Sequence, residues 1–208
     1  MNFLIQFPVL IFSVILHEYA HGWMAEKRGD DTARIMGRLT FNPIPHIDPV
    51  GPVLLPLVAA LSGAPVFGWA KPVPVNPSRL ENPLRDMVWV SLAGPAANFM
   101  LAIAAALLMW ALRNVSIFPV QLSFSMYQLL KLILVINIIL PVFNLFPIPP
   151  LDGSRVVERA LPPDLAYRYS MLEPYGFIII MVLLYTGIFW AIMGPIAGTL
   201  IHLLSGGI

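Results

Sequence analysis

Four long apolar runs restrict this chain to structures that a lipid bilayer can hold. They span about residues 3–25, 87–112, 127–148 and 174–193, and each reaches the ~20 residues that a helix needs to cross the hydrocarbon core. Mean hydropathy is +0.80 and only 11% of the residues are charged, whereas soluble domains carry roughly 25%. The sequence therefore predicts an all-α polytopic membrane protein, a bundle of about four to six transmembrane helices that forms one domain over 1–208.

Charge and cysteine content exclude several function classes. The 12 Lys and Arg residues nearly balance the 11 Asp and Glu residues, so no basic surface is available and no nucleic-acid partner is expected. The absence of cysteine excludes disulfides, cysteine-ligated zinc and a cysteine nucleophile. The first apolar run has no basic residue before it and no cleavage site after it, so a removable signal peptide is not expected. The lack of a targeting presequence favours a prokaryotic inner membrane.

A fifth apolar run, 51–68, is short and is interrupted by Pro52, Pro56, Gly63 and Pro65. Basic residues concentrate on the cytoplasmic side of membrane proteins, so their distribution indicates how this run is placed. We predict a Pro-rich re-entrant segment between the first two full spans, four true crossings and an amino terminus outside. This topology puts ten of the twelve basic residues on the cytoplasmic face: Lys27, Arg28, Arg34, Arg38, Lys71, Arg79, Arg85, Arg155, Arg159 and Arg168.

The first span contains the pattern H-E-x-x-H, formed by His17, Glu18 and His21. Residues four apart share a face of a helix, so both imidazoles can point at one metal ion. Glu18 can then reach a metal-bound water without being a ligand. The alternative is a pair of core histidines beside a solvated glutamate. That alternative is costly, because each charge at the bilayer centre costs at least ~2.5–3.5 kcal/mol.

Two histidines do not complete a catalytic zinc site, which usually has three protein ligands. The candidates for the third ligand are His46, His202 and Asp152. Asp152 ends the third span, directly after prolines that break the helix. His17 lies about ten residues, or roughly 15 Å, before the cytoplasmic end of the first span. If both spans run from outside to inside, Asp152 and His17 are on the same side of the membrane, which favours Asp152.

The chain contains three motifs in this order: Phe12-Ser-Val-Ile-Leu-His17-Glu18-Tyr-Ala-His21-Gly22, Gly94-Pro95-Ala-Ala-Asn98 and Asn144-x-x-Pro147-x-x-x-Leu151-Asp152-Gly153. They resemble the motifs of the site-2 proteases, a family of intramembrane zinc metallopeptidases. The stretch from Gly68 to Pro77 also resembles the compact prokaryotic branch of that family, which lacks the PDZ domain of some relatives.

The resemblance implies one Zn²⁺ per chain, held by His17, His21 and Asp152, with Glu18 as the catalytic carboxylate. Glu18 would take a proton from water and deliver it to the leaving amine. The expected activity is hydrolysis of peptide bonds in transmembrane protein substrates near the cytoplasmic side, as in regulated intramembrane proteolysis. The expected partners are those substrates and the lipid bilayer.

Two asparagines within apolar spans, Asn98 and Asn144, are candidates for an oxyanion donor or a substrate-positioning group. The alternative for each is a hydrogen bond between helices, commonly worth ~0.6 kcal/mol in membranes. A helical substrate must unwind to be cut. The extended, Pro-rich region 41–77 is a candidate for binding the unwound substrate as an added strand.

Two other functions fit the same residues. An intramembrane metal-ion carrier would also place histidines and an acid in the membrane, but it needs no glutamate beside the first histidine. An inactive membrane scaffold of the same fold would not need Glu18 at all. Both alternatives predict no cleavage of a membrane substrate.

Overall fold

The computed structural model describes residues 3–46, 71–114 and 119–206, and among these residues there is no β-strand. Short 3₁₀ turns occur at Ile44–His46, Pro77–Arg79 and Glu173–Tyr175. The α-helices, in chain order, are α1 Phe3–Lys27, α2 Thr32–Ile35, α3 Pro83–Asn114, α4 Val120–Asn144, α5 Asp152–Ala160, α6 Pro163–Ser170, α7 Gly176–Tyr185 and α8 Ile188–Ser205.

Four of these helices, α1, α3, α4 and α8, are long and apolar enough to cross a membrane. The predicted all-α, polytopic membrane fold is therefore confirmed. The prediction of the fourth span as 174–193 is wrong in its position. Gly187 has a φ of +76°, a conformation that glycine adopts readily and that ends α7. The crossing helix therefore begins after it.

The third span also differs from its prediction of 127–148, because α4 starts at Val120 and ends at Asn144. The three prolines that follow, at positions 147, 149 and 150, lack N–H groups and disfavour helix in the residue before each of them. The apolar composition continues through this stretch although the helix does not. The third apolar run therefore extends beyond the end of α4.

Side-chain pairs establish the directions of the spanning helices. Asn98 contacts Ser13 and His17, while the earlier α3 residue Asp86 pairs with Arg28 at the end of α1, so α1 and α3 are antiparallel. Asn98 also reaches Asn137 on α4, and Arg113 reaches Tyr127, so α3 and α4 are antiparallel too.

Helix α8 crosses the bundle in the same direction as α3. At its start, the ring of Phe189 lies 5.2 Å from that of Phe143 near the end of α4. After its end, a Cβ on Gly206 would lie 3.4 Å from Nη1 of Arg113 near the end of α3. The core between the helices combines small and large apolar side chains, which permits close helix approach: Ala102, Ala105, Ala106, Met109, Leu134, Ile138, Val142, Phe189, Met193 and Ala197.

The segments before and after the predicted re-entrant run meet on one side of the bundle. The N–H of Lys71 donates to the carbonyl of His46 at 3.0 Å, and the N–H of Glu81 donates to the carbonyl of Arg28 at 2.9 Å. Lys71 and His46 therefore lie on the same side of the bundle. The run 51–68 itself lies outside the described residues.

Candidate metal centre

His17 and His21 face the same side of α1, as the four-residue spacing predicts. Their Nε2 atoms are 2.9 Å apart, and the ring planes are nearly perpendicular at 87°. Both rings are largely buried, with side-chain exposures of 7% and 11%. Two ring nitrogens therefore converge on one point inside the bundle.

Asp152 is the first residue of α5, and a compact turn after α4 brings it to the histidines. The N–H of Leu151 donates to the carbonyl of Ile148 at 2.9 Å, and the Pro149–Pro150 peptide is cis. Asp152 Oδ2 lies 3.1 Å from Nε2 of His17 and 3.3 Å from Nε2 of His21. The structure thus brings together the three residues that the sequence singled out.

The hydrogen bonds on the far side of each ring show that this group suits a zinc ion. Nδ1 of His21 lies 2.7 Å from the carbonyl oxygen of Val90, which only accepts, so this nitrogen carries the proton. Nδ1 of His17 likewise donates to Oδ1 of Asn98 at 2.7 Å. In a neutral imidazole Nε2 then has a lone pair, and both Nε2 atoms face Asp152 Oδ2, a buried oxygen without a hydrogen-bond partner among the described residues.

Three electron-pair donors that face one another repel unless a cation lies between them. Neutral imidazole nitrogens and a carboxylate oxygen are common zinc ligands, and a second hydrogen bond on each ring is typical of metal-bound histidine. The donor atoms all lie within 4.8 Å of one another. The residues therefore fit the metal that the sequence predicted.

The other two histidines do not join this group. His46 is buried, and its Nε2 lies 2.9 Å from the carbonyl oxygen of Thr40, outside α1. His202 is exposed near the end of α8, and neither belongs to the metal-capable cluster found among the described residues. Of the three candidates for a third ligand, the geometry favours Asp152.

Glu18 faces a cavity of about 210 Å³ that also contains the three candidate ligands. Its Oε2 accepts a hydrogen bond of 2.7 Å from the N–H of Val73. Other side chains also line the cavity: Pro72, Val73, Val75, Met87, Val90, Ser91, Asn144, Pro150, Leu151 and Arg155.

Residues 71–76, here called the strap, form the wall of the cavity beside Glu18. Nη2 of Arg38 donates to the carbonyl of Lys71 at 2.7 Å, and Asp30 Oδ2 accepts from the N–H of Asn76 at 2.6 Å. Between these two anchors, the side chain of Val73 packs where a Cβ on Gly22 would stand. Asp30 is fully buried and Arg38 is 7% exposed, so two charged side chains, one before α2 and one after it, hold the two ends of the strap.

Sequence reasoning did not identify Asp30 or Arg38 as part of the site. Arg38 counted only toward the basic side of the membrane, and the partners of both residues are more than 30 positions away. The repeated prolines of the strap were the available signal. They predict an extended segment but not its anchors.

The two candidate asparagines occupy different places. Asn144 lines the cavity, and its Nδ2 donates to the carbonyl of Leu140 at 3.0 Å. Asn98 is fully buried behind the His17 ring, so it is in position to contact that ring and not a substrate. Asn98 also makes the kind of hydrogen bond between helices that was the alternative for it, with Asn137 of α4 as the partner.

Comparisons with known proteins match most of the chain to one peptidase family and to proteins named as zinc metalloproteases. The family model of peptidase family M50 matches residues 6–183. A protein of Bacillus subtilis (strain 168) named "Putative zinc metalloprotease YwhC" is 41% identical over 178 residues, which cover 85% of this chain and 78% of that protein. "Putative zinc metalloprotease Rip2" of Mycolicibacterium smegmatis is 32% identical over 177 residues, which cover 85% of this chain and 64% of that protein.

A more distant relative is "Zinc metalloprotease MJ0392" of Methanocaldococcus jannaschii, 27% identical over 168 residues that cover 80% of this chain and 37% of that protein. No solved structure matches the chain significantly. The family match, the zinc-metalloprotease relatives and four membrane-capable helices agree on a multi-pass zinc metalloendopeptidase. The chain belongs to peptidase family M50, the site-2 proteases.

Proposed function

We propose that this metalloprotease hydrolyses peptide bonds of transmembrane protein substrates near the cytoplasmic side of the membrane. His17, His21 and Asp152 would hold its zinc ion, and Glu18 would be the catalytic carboxylate. The observation that carries the proposal is the approach of Asp152 Oδ2 to both Nε2 atoms, at 3.1 and 3.3 Å, in the cavity that Glu18 lines.

The residues of the site divide the work of hydrolysis. When bound, the zinc ion supplies Lewis acidity, which lowers the pKa of water and polarises a carbonyl group. Glu18 accepts the proton of the attacking water and transfers it to the leaving amine. The N–H of Val73 holds one oxygen of Glu18, which leaves the other oxygen for the proton. Asn144 lines the cavity, and the N–H of its carboxamide that does not donate to Leu140 would donate to the carbonyl oxygen of the substrate.

The charged end of the bundle supports a cytoplasmic site and an amino terminus outside. Lys27 lies 5.8 Å from the ring centre of Trp23, and Arg28 lies 5.5 Å from that of Trp89. Tryptophan and basic residues are typical of a membrane–water interface, with the basic excess on the cytoplasmic side. His17 is about ten residues before this end, a depth of roughly 15 Å. A prokaryotic inner membrane is the proposed location.

The strap gives limited support to binding of substrate as an added strand. Its N–H groups at positions 71, 73 and 76 already donate to other groups of the protein, and positions 72 and 74 are prolines. Few donors are then left for a substrate strand. We propose that the strap serves as the wall along which the unwound substrate lies. Most of the rest of the region 41–77 lies outside the described residues.

The test combines zinc content with cleavage of a single-span peptide in proteoliposomes. The wild type should hold one zinc per chain and cut the peptide in its cytoplasmic half. Glu18→Gln should retain zinc and lose cleavage by at least about 100-fold, because general acid–base catalysis contributes ~10²–10⁴-fold. Asp152→Ala should lower zinc affinity. Glu26→Gln is the matched control, since Glu26 lies on the same helix and pairs with Arg34 at the surface.

The outcomes separate the competing functions. Unchanged cleavage by Glu18→Gln would contradict the assigned mechanism, and a cut in the outer half of the peptide would contradict the proposed side. A metal carrier predicts zinc flux across the same vesicles that Glu18→Gln leaves intact. Family membership already favours a peptidase over that alternative.

A further inference from the structure

A buried polar network lies directly behind the His17 ring and joins three membrane-spanning helices. The carboxamide of Asn98 accepts from His17 Nδ1 at 2.7 Å. It donates to the carbonyl of Ser13 at 3.0 Å and to Oδ1 of Asn137 at 2.7 Å. Ser13, Asn98 and Asn137 are each 0% exposed.

The network continues until each of its donors has an acceptor. Nδ2 of Asn137 donates to Oγ of Ser13 at 2.8 Å and to the carbonyl of Ile133 at 2.9 Å. Oγ of Ser13 donates to the carbonyl of Val9 at 2.8 Å. A buried polar group without a partner is costly in an apolar environment, so a network with this many members is expected to hold one arrangement.

The partners of Asn98 determine which way its carboxamide points. Both acceptors on one side, a backbone carbonyl and Asn137 Oδ1, require the NH₂ group of Asn98 there. Oδ1 must then face His17, and it accepts only from a protonated Nδ1. In a neutral ring Nε2 is then unprotonated, and it faces Asp152 Oδ2.

We propose that Asn98 is a positioning residue that fixes the proton on Nδ1 of His17 and the rotation of its ring, and that Asn137 and Ser13 fix Asn98 in turn. The proposal rests on the proposed function in one respect, the role of His17 as a ligand. Its content is that α3, which supplies none of the three candidate ligands, orients one of them through Asn98.

A positioning role and a purely structural role predict different patterns of zinc affinity. Groups that hydrogen-bond to a metal-binding histidine typically contribute 10–100-fold to metal affinity. A hydrogen bond that only joins membrane helices contributes ~0.6 kcal/mol to the stability of the helix bundle. Asn98 and Asn137 are equally buried and both join helices, but only Asn98 contacts the histidine. This pair therefore separates the two roles.

The first experiment measures zinc affinity by competition with a chelator in detergent micelles. Asn98→Leu should lower the affinity about 10–100-fold, whereas Asn137→Leu should lower it by less than about threefold. The matched control is Asn114→Leu, at the exposed end of α3, where the side chain bonds the carbonyl of Trp110.

The second experiment reads the proton directly. The chain has only 4 histidines, so ¹⁵N-histidine labelling of the zinc-loaded protein gives a small spectrum that His17→Ala assigns. His17 should show metal coordination at Nε2 and a slowly exchanging proton at Nδ1. In Asn98→Leu this proton should exchange rapidly. If that variant does not fold, the wild-type spectrum still tests the proposal.

Coordination of His17 through Nδ1 would overturn the proposal. So would an affinity within twofold of wild type in Asn98→Leu, or an equal or larger loss in Asn137→Leu. Failure of the proposed function has a different signature, because there His17→Ala itself would leave zinc binding unchanged. If His17→Ala loses zinc while Asn98→Leu does not, only the positioning role is refuted.

Discussion

Gly94 lies directly against His21. A Cβ at position 94 would be 2.6 Å from Cε1 of His21 and 2.7 Å from Cε1 of His17, closer than side-chain carbons approach other atoms in proteins. The absence of a side chain on α3 therefore makes room for both imidazoles of α1. The contact of position 94 with the two histidines of the first motif explains why the second motif has a glycine there.

The substitution Gly94→Ala should displace the candidate ligands without unfolding the bundle. The added methyl meets two buried rings, and a misplacement of about 1 Å in an active site can cost ~100-fold in rate. We expect zinc affinity and cleavage to fall together, as measured by chelator competition and peptide cleavage. Gly198→Ala in α8 is the control, because a Cβ there meets nothing within 4 Å. Equal loss in both variants would refute the packing argument.

Replacing Val73 by proline removes the N–H that donates to Glu18. A hydrogen bond to a charged group contributes about 1.5–3 kcal/mol, and tenfold in rate corresponds to ~1.4 kcal/mol. We expect kcat to fall by about tenfold or more while zinc content stays at one per chain. Val75→Pro is the matched control, since the N–H of Val75 makes no hydrogen bond to a described residue. A normal kcat in Val73→Pro would show that Glu18 does not need this contact.

Loss of the buried guanidinium in Arg38→Ala should release one end of the strap. The carbonyl of Lys71 loses its donor, which costs about 1–3 kcal/mol for a buried group. The expected result is a lower thermal unfolding temperature in detergent and new proteolytic cleavage within 71–76. Arg34→Ala should change neither, because the pair of Arg34 with Glu26 is at the surface. Protection of the strap in Arg38→Ala would contradict this assignment.

The absence of native cysteine permits a direct test of orientation. Ser78→Cys, before α3, should be protected from a membrane-impermeant maleimide in intact cells and labelled after permeabilisation. Asn114→Cys, at the other end of α3, should be labelled in both cases. Both positions are exposed in the fold, so burial does not obscure the comparison. The reverse labelling pattern would place the amino terminus inside.

The fold class and the grouping of the candidate ligands were predictable because they depend on local or one-dimensional properties. Apolar length predicts spanning helices, and a spacing of four residues puts His17 and His21 on one face of a helix. The orientation of the spans depends on the number of basic residues summed over the loops, so a count of these residues predicted that Asp152 and His17 lie on the same side of the membrane. The fourth span was misplaced because hydropathy does not register the φ of +76° at Gly187.

By itself, the sequence determined that this chain is a helical membrane protein with a two-histidine metal motif and an acid at a broken helix end. Only the tertiary structure brought Asn98 into contact with His17, and Val73 of the strap into contact with Glu18. These contacts join residues 81 and 55 positions apart. They depend on the rotation and depth at which the helices pack, and close packing sets both quantities through the shapes of many side chains at once.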